Sequence, residues 1–359
     1  MRNTLDNLKF VLQPMRKPLL LGRIARSYLR FLSNKSPQER PIRNVDIALN
    51  YACNLSCEHC SCELLKKKEP MLTASQYKDI AGQALDMGCI YFAFTGGEPL
   101  LNKDLEDIIQ IFHPDSTLIG LQTNAMLLTP QRAKSLRKAG ADALQISFDS
   151  ANPDEHDTLR QQGGAFKAMM SNVDTALKLG FKIIFSSTIT HSNLRGQGVL
   201  DMFHFTHERG IPLVLSVPCA VGKWSNNFSE QLDDNDREYF DQLRRRFPHL
   251  RRDFDSNYAK RGCSAGSEKL YITPYGDVIP CPFVHISFGN VTQEPLKAIR
   301  KRMISLDRFR EYNQVCLAGE DKDFIDRFII PTYGKSLPVQ WNEHQSLKKL
   351  LCPESSREA

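Results

Sequence analysis

Between residues 45 and 218 the chain alternates between short apolar, β-branched runs and helix-forming segments, and this rhythm restricts the fold more than any other feature. Strand-like runs fall at 45–51, 89–96, 116–124, 142–149, 181–190 and 211–218. Helical segments lie between them at 74–88, 105–112, 129–140, 165–180 and 198–210. Gly88 stops the first of these, while Thr129 and Pro130 open the third and Gly140 closes it. Strands separated by whole helices pair in parallel. The expected fold class is therefore α/β, a partial (β/α)6 TIM-like barrel, with a doubly wound open sheet as the second choice. In both, reactive side chains collect at the C-terminal ends of the strands.

The 359 residues, 41% hydrophobic and 25% charged, suit one large and one smaller globular domain. No apolar run of eighteen residues occurs, and the longest near the N-terminus is "PLLLG", so neither a membrane span nor secretion is expected. A cytoplasmic, reducing setting follows, where clustered cysteines are metal ligands or catalysts more often than disulfides. The net charge of +6 is uneven: residues 1–40 carry nine Lys/Arg against Asp6 and Glu39, which leaves the body near neutrality. A broad nucleic-acid face is not expected. Residues 19–32 form an amphipathic helix, with Leu20, Ile24, Tyr28 and Phe31 on one face and Arg23, Arg26 and Arg30 on another. Either it packs on the main domain, or it brings residues 1–40 to a membrane surface or an acidic partner. The expected division is a basic N-terminal segment and linker at 1–44, the barrel at 45–235, a bridging helix at 236–262, and a smaller hairpin-plus-helix domain with the tail at 263–359.

Four of the ten cysteines crowd into residues 53–62, on the loop that follows the first strand. Cys53, Cys57 and Cys60 have the spacing C-x3-C-x2-C, and three thiolates at that spacing can hold a small iron–sulfur cluster with one iron left open. Cys62 is a possible fourth ligand, although one intervening residue is tight. Zinc is the rival, but no second cysteine pair lies nearby. Buried free thiols fit poorly with the polar neighbours Asn54, Ser56, Glu58 and His59. Other strand ends carry polar or permissive residues. Gly96 and Gly97 let backbone approach a ligand, Glu98 offers a carboxylate to an ammonium group, and Pro99 follows. Thr123 and Asn124 end the third strand, Ser147 and Asp149 the fourth, and Thr188 and Thr190 the fifth. A simple strand-to-helix turn at 95–99 and a loop-capping Asp149 are the plainer readings.

The stretch "CNLSCEHC" resembles the C-x3-C-x-aromatic-C motif of the radical S-adenosylmethionine (SAM) superfamily, with His59 in the aromatic slot. The resemblance implies that Cys53, Cys57 and Cys60 bind three irons of a [4Fe–4S] cluster and that SAM chelates the fourth. "TGGEP", one unit later, is similar to the family's GGEP segment, which contacts the SAM amino group. By the same resemblance Ser147 and Asp149 bind the SAM ribose or carboxylate, Thr123 and Asn124 face the same mouth, and Thr188 and Thr190 are similar candidates. Farther on, Cys263, Gly276 and Cys281 follow C-x12-G-x4-C, which resembles the opening of the SPASM/twitch extension that carries an auxiliary [4Fe–4S] cluster. A dense C-x2-C-x5-C-x3-C block is absent from the sequence, so the short twitch form is expected. Cys263, Cys281 and Cys316 are its implied ligands, with Cys352, Cys219 or the substrate in fourth place; scattered core thiols are the plain alternative. Cys219, just past the sixth strand, is also a candidate catalytic hydrogen donor or a structural thiol.

Together these resemblances imply an enzyme that cleaves SAM to a 5′-deoxyadenosyl radical and takes a hydrogen atom from a sugar, nucleoside or lipid precursor. Oxidation, epimerisation or carbon-bond rearrangement would follow, with flavodoxin or ferredoxin as electron donor. The 44 residues before the first strand are too few for a leader-peptide recognition domain, which makes a peptide-modifying maturase the alternative. A non-catalytic iron–sulfur electron carrier stands third.

Overall fold

In the computed structural model, residues 17–33, 36–253, 257–258 and 262–352 are described. Helix α1 (Pro18–Ser33) precedes strand β1 (Asn44–Ala48). The alternation then runs α2 (Ala74–Asp86), β2 (Tyr91–Thr95), α3 (Leu105–Ile111), β3 (Leu118–Thr123), α4 (Pro130–Ala139) and β4 (Ala143–Ser147). It continues through α5 (Pro153–Arg160), α6 (Ala165–Lys178), β5 (Lys182–Thr188), α7 (Gln197–Glu208) and β6 (Leu213–Ser216). These six strands lie side by side in chain order, all parallel. Local chemistry sets the boundaries. Thr73 and Gln76 form a reciprocal capping box at the start of α2, and the Thr129 side chain accepts from Arg132 N ahead of Pro130.

The sheet extends beyond the six expected strands at both ends. Among its described residues, the segment 236–262 is helical only in its first part, within α8 (Asp234–Arg246). Strand β7 (Leu250–Arg252) follows and pairs in parallel with β6. At the other edge, β8 (Lys269–Ile272), from the C-terminal part of the chain, pairs in parallel with β1, and β9 (Val278–Ile279) returns antiparallel to β8 through the "TPYGD" turn. The auxiliary hairpin is thus part of the barrel sheet. Burial on both faces of β1 follows from this, and its Asp46 is paired with Lys269 Nζ at 3.1 Å and accepts from Asn44 Nδ2 at 2.9 Å. Further elements include β10 (Ile286–Ser287), α9 (Leu296–Met303), α10 (Asp307–Arg310), β11 (Val339–Gln340) and α11 (Gln345–Leu351), with β10 and β11 paired in parallel.

Outward positions of the strands, such as Leu144, Ile146, Ile183, Phe185, Leu213 and Leu215, share one core with Met169, Val173, Met202 and Phe203 of the covering helices. The alternate residues therefore face the barrel interior.

Helix α1 packs on the main body through buried Leu20 and through Ser27, which donates to Gly88 O at 2.9 Å and accepts from the Tyr258 hydroxyl at 2.8 Å. Tyr28 does not share the burial expected of that face and is 46% exposed, although its ring lies 6.1 Å from that of Tyr258. A second apolar row, Leu21, Leu29 and Leu32, points outward, with Leu29 and Leu32 more than 60% exposed. Residues 1–16 of the expected basic segment, and Lys35, lie outside the described residues. Among the described residues no helix is long and apolar enough to cross a membrane.

Two buried imidazoles make stability sensitive to pH. His156 and His285 are each 2% exposed, and burial chiefly holds each at about 4, below the usual 6.5. Between pH 6.5 and 4 the unfolded chain takes protons that the folded chain refuses, so stability falls as pH falls through that window. The Tm of the metal-free protein is expected to drop by roughly 5 °C or more from pH 7.5 to 5. A thermal melt of His285→Gln should show a smaller drop.

Candidate active site

The loops after β1, β2 and β3 are knitted into one platform. Leu49 N donates to Thr95 O at 3.0 Å, Gly97 N to Asn50 O at 2.9 Å and Glu98 N to Ala52 O at 2.8 Å. Parallel pairing thus continues past both strand ends, into the start of the cysteine loop. Glycine is required there. A Cβ at Gly96 would lie 2.1 Å from Asn50 O, and one at Gly97 2.2 Å from Ala52 O; Gly96 also adopts φ +134°.

Glu98 does not offer its carboxylate to an ammonium group, as expected from the sequence. Its side chain is fully buried and accepts from Leu100 N at 3.0 Å, Thr123 Oγ1 at 2.7 Å and Asn124 N at 2.9 Å. Burial raises its pKa, while these donors oppose the rise. Glu98 is a tie between β2 and β3, and Thr123 is its partner rather than a mouth residue. Pro99 is buried at the start of the turn that follows. Asn124 carries the tie onward, donating through Nδ2 to Asn54 Oδ1 at 2.9 Å in the cysteine loop.

On that loop Cys53 Sγ accepts from Leu55 N at 3.4 Å, and Cys60 Sγ receives the Cys62 amide. Burial pushes Cys53 up to about 11, with Glu98, Cys57 and Cys60 adding to the rise. Cys62 turns away into a small core with Tyr51, Leu65 and Tyr271, where burial holds its thiol at about 12. This packing sets it apart from the other three, although Cys60 and Cys53 stay in electrostatic range of its thiol. Two later segments brace the loop. Arg160, at the end of α5, donates through Nη1 to Cys57 Sγ at 3.6 Å and sets Nη2 2.6 Å from Asp149 Oδ2. Lys223 Nζ donates to Ser56 O and Oγ at 2.6 Å each, and Lys223 N to Cys60 O at 3.0 Å. The His59 ring lies 5.8 Å from Trp224, and burial lowers its pKa to about 4.

Arg160, Lys223 and Trp224 were not singled out in the sequence. The available signal was polar His156 and Arg160 at i and i+4, which both prove to be buried on α5. Ser147 pairs in register with Ser186, and Thr188 with Ser216, at half-buried positions that face the barrel interior. Thr190 instead closes a local turn, accepting from Asn193 N at 3.2 Å.

The donor set fits an iron–sulfur cluster better than a single ion. Among the described residues, the one set of three His, Cys, Asp or Glu donor atoms converging within 4.8 Å is His191, Asp233 and Asp236. No three thiols crowd as a tetrahedral zinc requires. Asp149 Oδ1 is buried without a hydrogen-bond partner, which leaves an acceptor for a bound ligand. Asp149 itself is held below the usual carboxylate range: burial opposes this, but Arg160 first, then His59 and His156, outweigh it.

The second cysteine set also converges. Cys263 pairs its backbone with Asn313, Cys281 follows β9, and Cys316 N donates to Glu320 Oε2 at 2.7 Å. Cys263 and Cys281 sulfurs accept from the Ala265 and Phe283 amides and lie in electrostatic contact with each other and with Cys316. Cys219 is buried, with Cys316 and Cys281 in electrostatic range of its thiol. Cys352 caps the end of α11.

Family models match two stretches of the chain: Radical SAM superfamily at residues 47–204 and the SPASM iron–sulfur cluster-binding domain at 263–318. This chain belongs to the radical SAM superfamily and carries a SPASM domain. As a radical SAM enzyme it binds a [4Fe–4S] cluster and SAM, with an auxiliary iron–sulfur cluster in the SPASM domain. It is 25% identical over 280 residues to the AdoMet-dependent heme synthase of Methanosarcina barkeri, covering 70% of this chain and 80% of that protein. It is 26% identical over 284 residues to the PqqA peptide cyclase of Streptomyces rochei, covering 74% and 77%. Among solved structures, Streptococcus suis SuiB bound to the precursor peptide SuiA superposes with a TM-score of 0.58 at 16% identity, covering 72% of this chain and 64% of SuiB. The radical SAM enzyme thus spans less than two thirds of SuiB. Native anSMEcpe with bound AdoMet superposes with a TM-score of 0.57 at 17% identity, covering 87% and 96%.

Proposed function

We propose that this radical SAM enzyme holds its [4Fe–4S] cluster on Cys53, Cys57 and Cys60, takes SAM at the remaining iron, and removes a hydrogen atom from an anionic small molecule. The observation that carries the reading is the cysteine loop itself: three thiols at the C-terminal end of β1, backbone-zipped to the Gly96–Gly97 turn and braced by Arg160 and Lys223. When bound and reduced, the cluster supplies the electron that splits SAM into methionine and a 5′-deoxyadenosyl radical. The residues of the chain bind and orient. The Gly96–Gly97 backbone lets the SAM amino group come close. Asp149 Oδ1, Ser147, Ser186, Thr188 and Ser216 present acceptors and hydroxyls to the ribose and amino-acid ends of SAM. His59 and Trp224 pack against each other at the loop. A one-electron donor such as flavodoxin or ferredoxin serves the reduction, and the outcome is oxidation, epimerisation or carbon-bond rearrangement.

A cavity of about 380 Å³ beside the loop supports a small substrate; it is lined in part by Lys66, Lys67, Val221, Tyr333 and Lys335. Lys66 is paired with Glu63 and Lys67 with Asp277 and Glu69, and Lys335 adds the charge that favours a phosphate or carboxylate. The outward row of Leu21, Leu29 and Leu32 beside Arg26 supports a lipid-linked substrate met at a membrane surface. Leu29→Glu/Leu32→Glu should cut co-sedimentation with anionic vesicles at least severalfold; unchanged sedimentation removes the lipid argument. A second reading, modification of a peptide, is favoured by the SuiB structure with SuiA and by the likeness to PqqA peptide cyclase.

The deciding experiment incubates anaerobically reconstituted, reduced protein with SAM. 5′-Deoxyadenosine is expected, and its absence from iron-loaded protein would leave an iron–sulfur electron carrier.

A further inference from the structure

The SPASM match contains three cysteines, Cys263, Cys281 and Cys316, and three ligands leave one corner of a four-iron cluster unassigned. Three occupants were open from the sequence: Cys352, Cys219 or the substrate itself. They differ in consequence. An iron without a protein ligand can take a substrate donor atom, whereas an iron sealed by a fourth thiolate cannot.

We infer that Cys219, supplied by the barrel at the end of β6, is the fourth ligand of the auxiliary [4Fe–4S] cluster, and that this cluster is closed to substrate. The inference rests on the auxiliary-cluster reading of Cys263, Cys281 and Cys316. Its first support is the position of the thiol. Cys219 is buried, donates to Val217 O at 3.7 Å, and has Cys316 and Cys281 in electrostatic range, while Cys281 and Cys316 both reach Cys263. The four sulfurs form one connected group, yet no three of them converge within 4.8 Å.

The second support is that the fold presses the two segments together by several independent contacts. A Cβ on Gly319 would lie 2.8 Å from Pro218 O and 3.2 Å from Cys219 Sγ, so the turn after Cys316 rests directly on the segment after β6. Glu320 Oε2 accepts from Cys316 N at 2.7 Å and also from Arg252 Nη2 of β7. The Tyr333 hydroxyl donates to Ala220 O at 2.6 Å. Cys219 therefore has the placement of a ligand delivered by one part of the chain to three ligands from another.

The test uses full-length Cys53→Ala/Cys57→Ala/Cys60→Ala protein, reconstituted anaerobically, so that auxiliary iron is read alone. That parent is expected to bind about four irons per chain. Adding Cys263→Ala should remove most of this iron. Adding Cys219→Ala should do the same, or leave a [3Fe–4S]-type EPR signal after oxidation, whereas adding Cys352→Ala should change neither iron content nor spectrum. A parent that binds no iron sinks the auxiliary-cluster reading itself. A parent that binds iron, with Cys219→Ala keeping about four irons and an unchanged EPR signal, overturns the Cys219 assignment alone. Because misfolding of Cys219→Ala would also lose iron, a second measurement uses the parent with its Cys219 intact. Cyanide should leave the EPR spectrum of the reduced auxiliary cluster unchanged, and a cyanide-induced shift would reveal an open iron and overturn the inference.

Discussion

Replacing Cys57 with alanine is expected to lower 5′-deoxyadenosine formation from SAM by at least about 100-fold, the upper end of the loss seen when only an outer-shell metal partner is removed. Iron content should fall from about eight to about four per chain, as one of two four-iron clusters is lost. The effect is large because this thiol is built into the site twice. It is one of three sulfurs on the loop after β1, and it accepts the Arg160 guanidinium at 3.6 Å. Cys62→Ala is the control. Cys62 lies only two residues beyond Cys60, but its side chain packs with Tyr51, Leu65 and Tyr271. That substitution should cost about 1 kcal/mol of packing and leave both iron content and SAM cleavage near the parent level. Loss of activity on Cys62→Ala with iron falling to about four, alongside an iron-replete Cys57→Ala, would reverse the assignment of the ligand set.

The contrast between these cysteines shows where the sequence is informative. Strands and crossover helices were legible because their signals are local: alternating apolar runs, a threonine before a proline at 129–130, and glycines at 88 and 140. The C-x3-C-x2-C loop and the glycine pair are local too, and backbone contacts between 50–52 and 97–98 explain the need for glycine there. What sequence reading missed depends on residues far apart in the chain. Lys269 reaches Asp46 only because β8 adds to the free edge of β1, and nothing within either segment records that pairing. Strand β7 has two arginines in three residues and no apolar alternation to reveal it. Glu98 was misread for a related reason: the direction of a strand-end carboxylate is fixed by donors at 123 and 124 on the next strand. For Cys219 the sequence left ligand, hydrogen donor and structural thiol open, because its neighbours come from 281 and 316.

Arg160 is the clearest such case, and its removal should have the largest effect on stability. Arg160→Met is expected to destabilise the protein by about 3–5 kcal/mol, because it leaves the carboxylate of Asp149 buried without its ion partner. Asp149 is 1% exposed and Arg160 8%, so water does not replace the lost guanidinium. The sign with pH follows from the same pair. In the parent, Asp149 is held below its ordinary value of 3.8, with Arg160 and smaller effects of His59 and His156 outweighing burial. Its contribution is therefore present above the unfolded pKa and lost as pH falls through the folded one. In Arg160→Met burial dominates and the carboxyl is expected to titrate upward. The deficit relative to the parent should be greatest near pH 7.5 and should shrink toward pH 5 as that carboxyl takes a proton. Asp149→Asn/Arg160→Met removes both charges and should regain most of the lost stability, while SAM cleavage stays low because Cys57 has lost its donor and the interior has lost the Asp149 acceptor. Denaturant unfolding of the parent, both single variants and the double variant reads the coupling directly. If the two single losses simply add in the double variant, Arg160 and Asp149 do not act as a pair, and the brace between β4 and the cysteine loop must be assigned elsewhere.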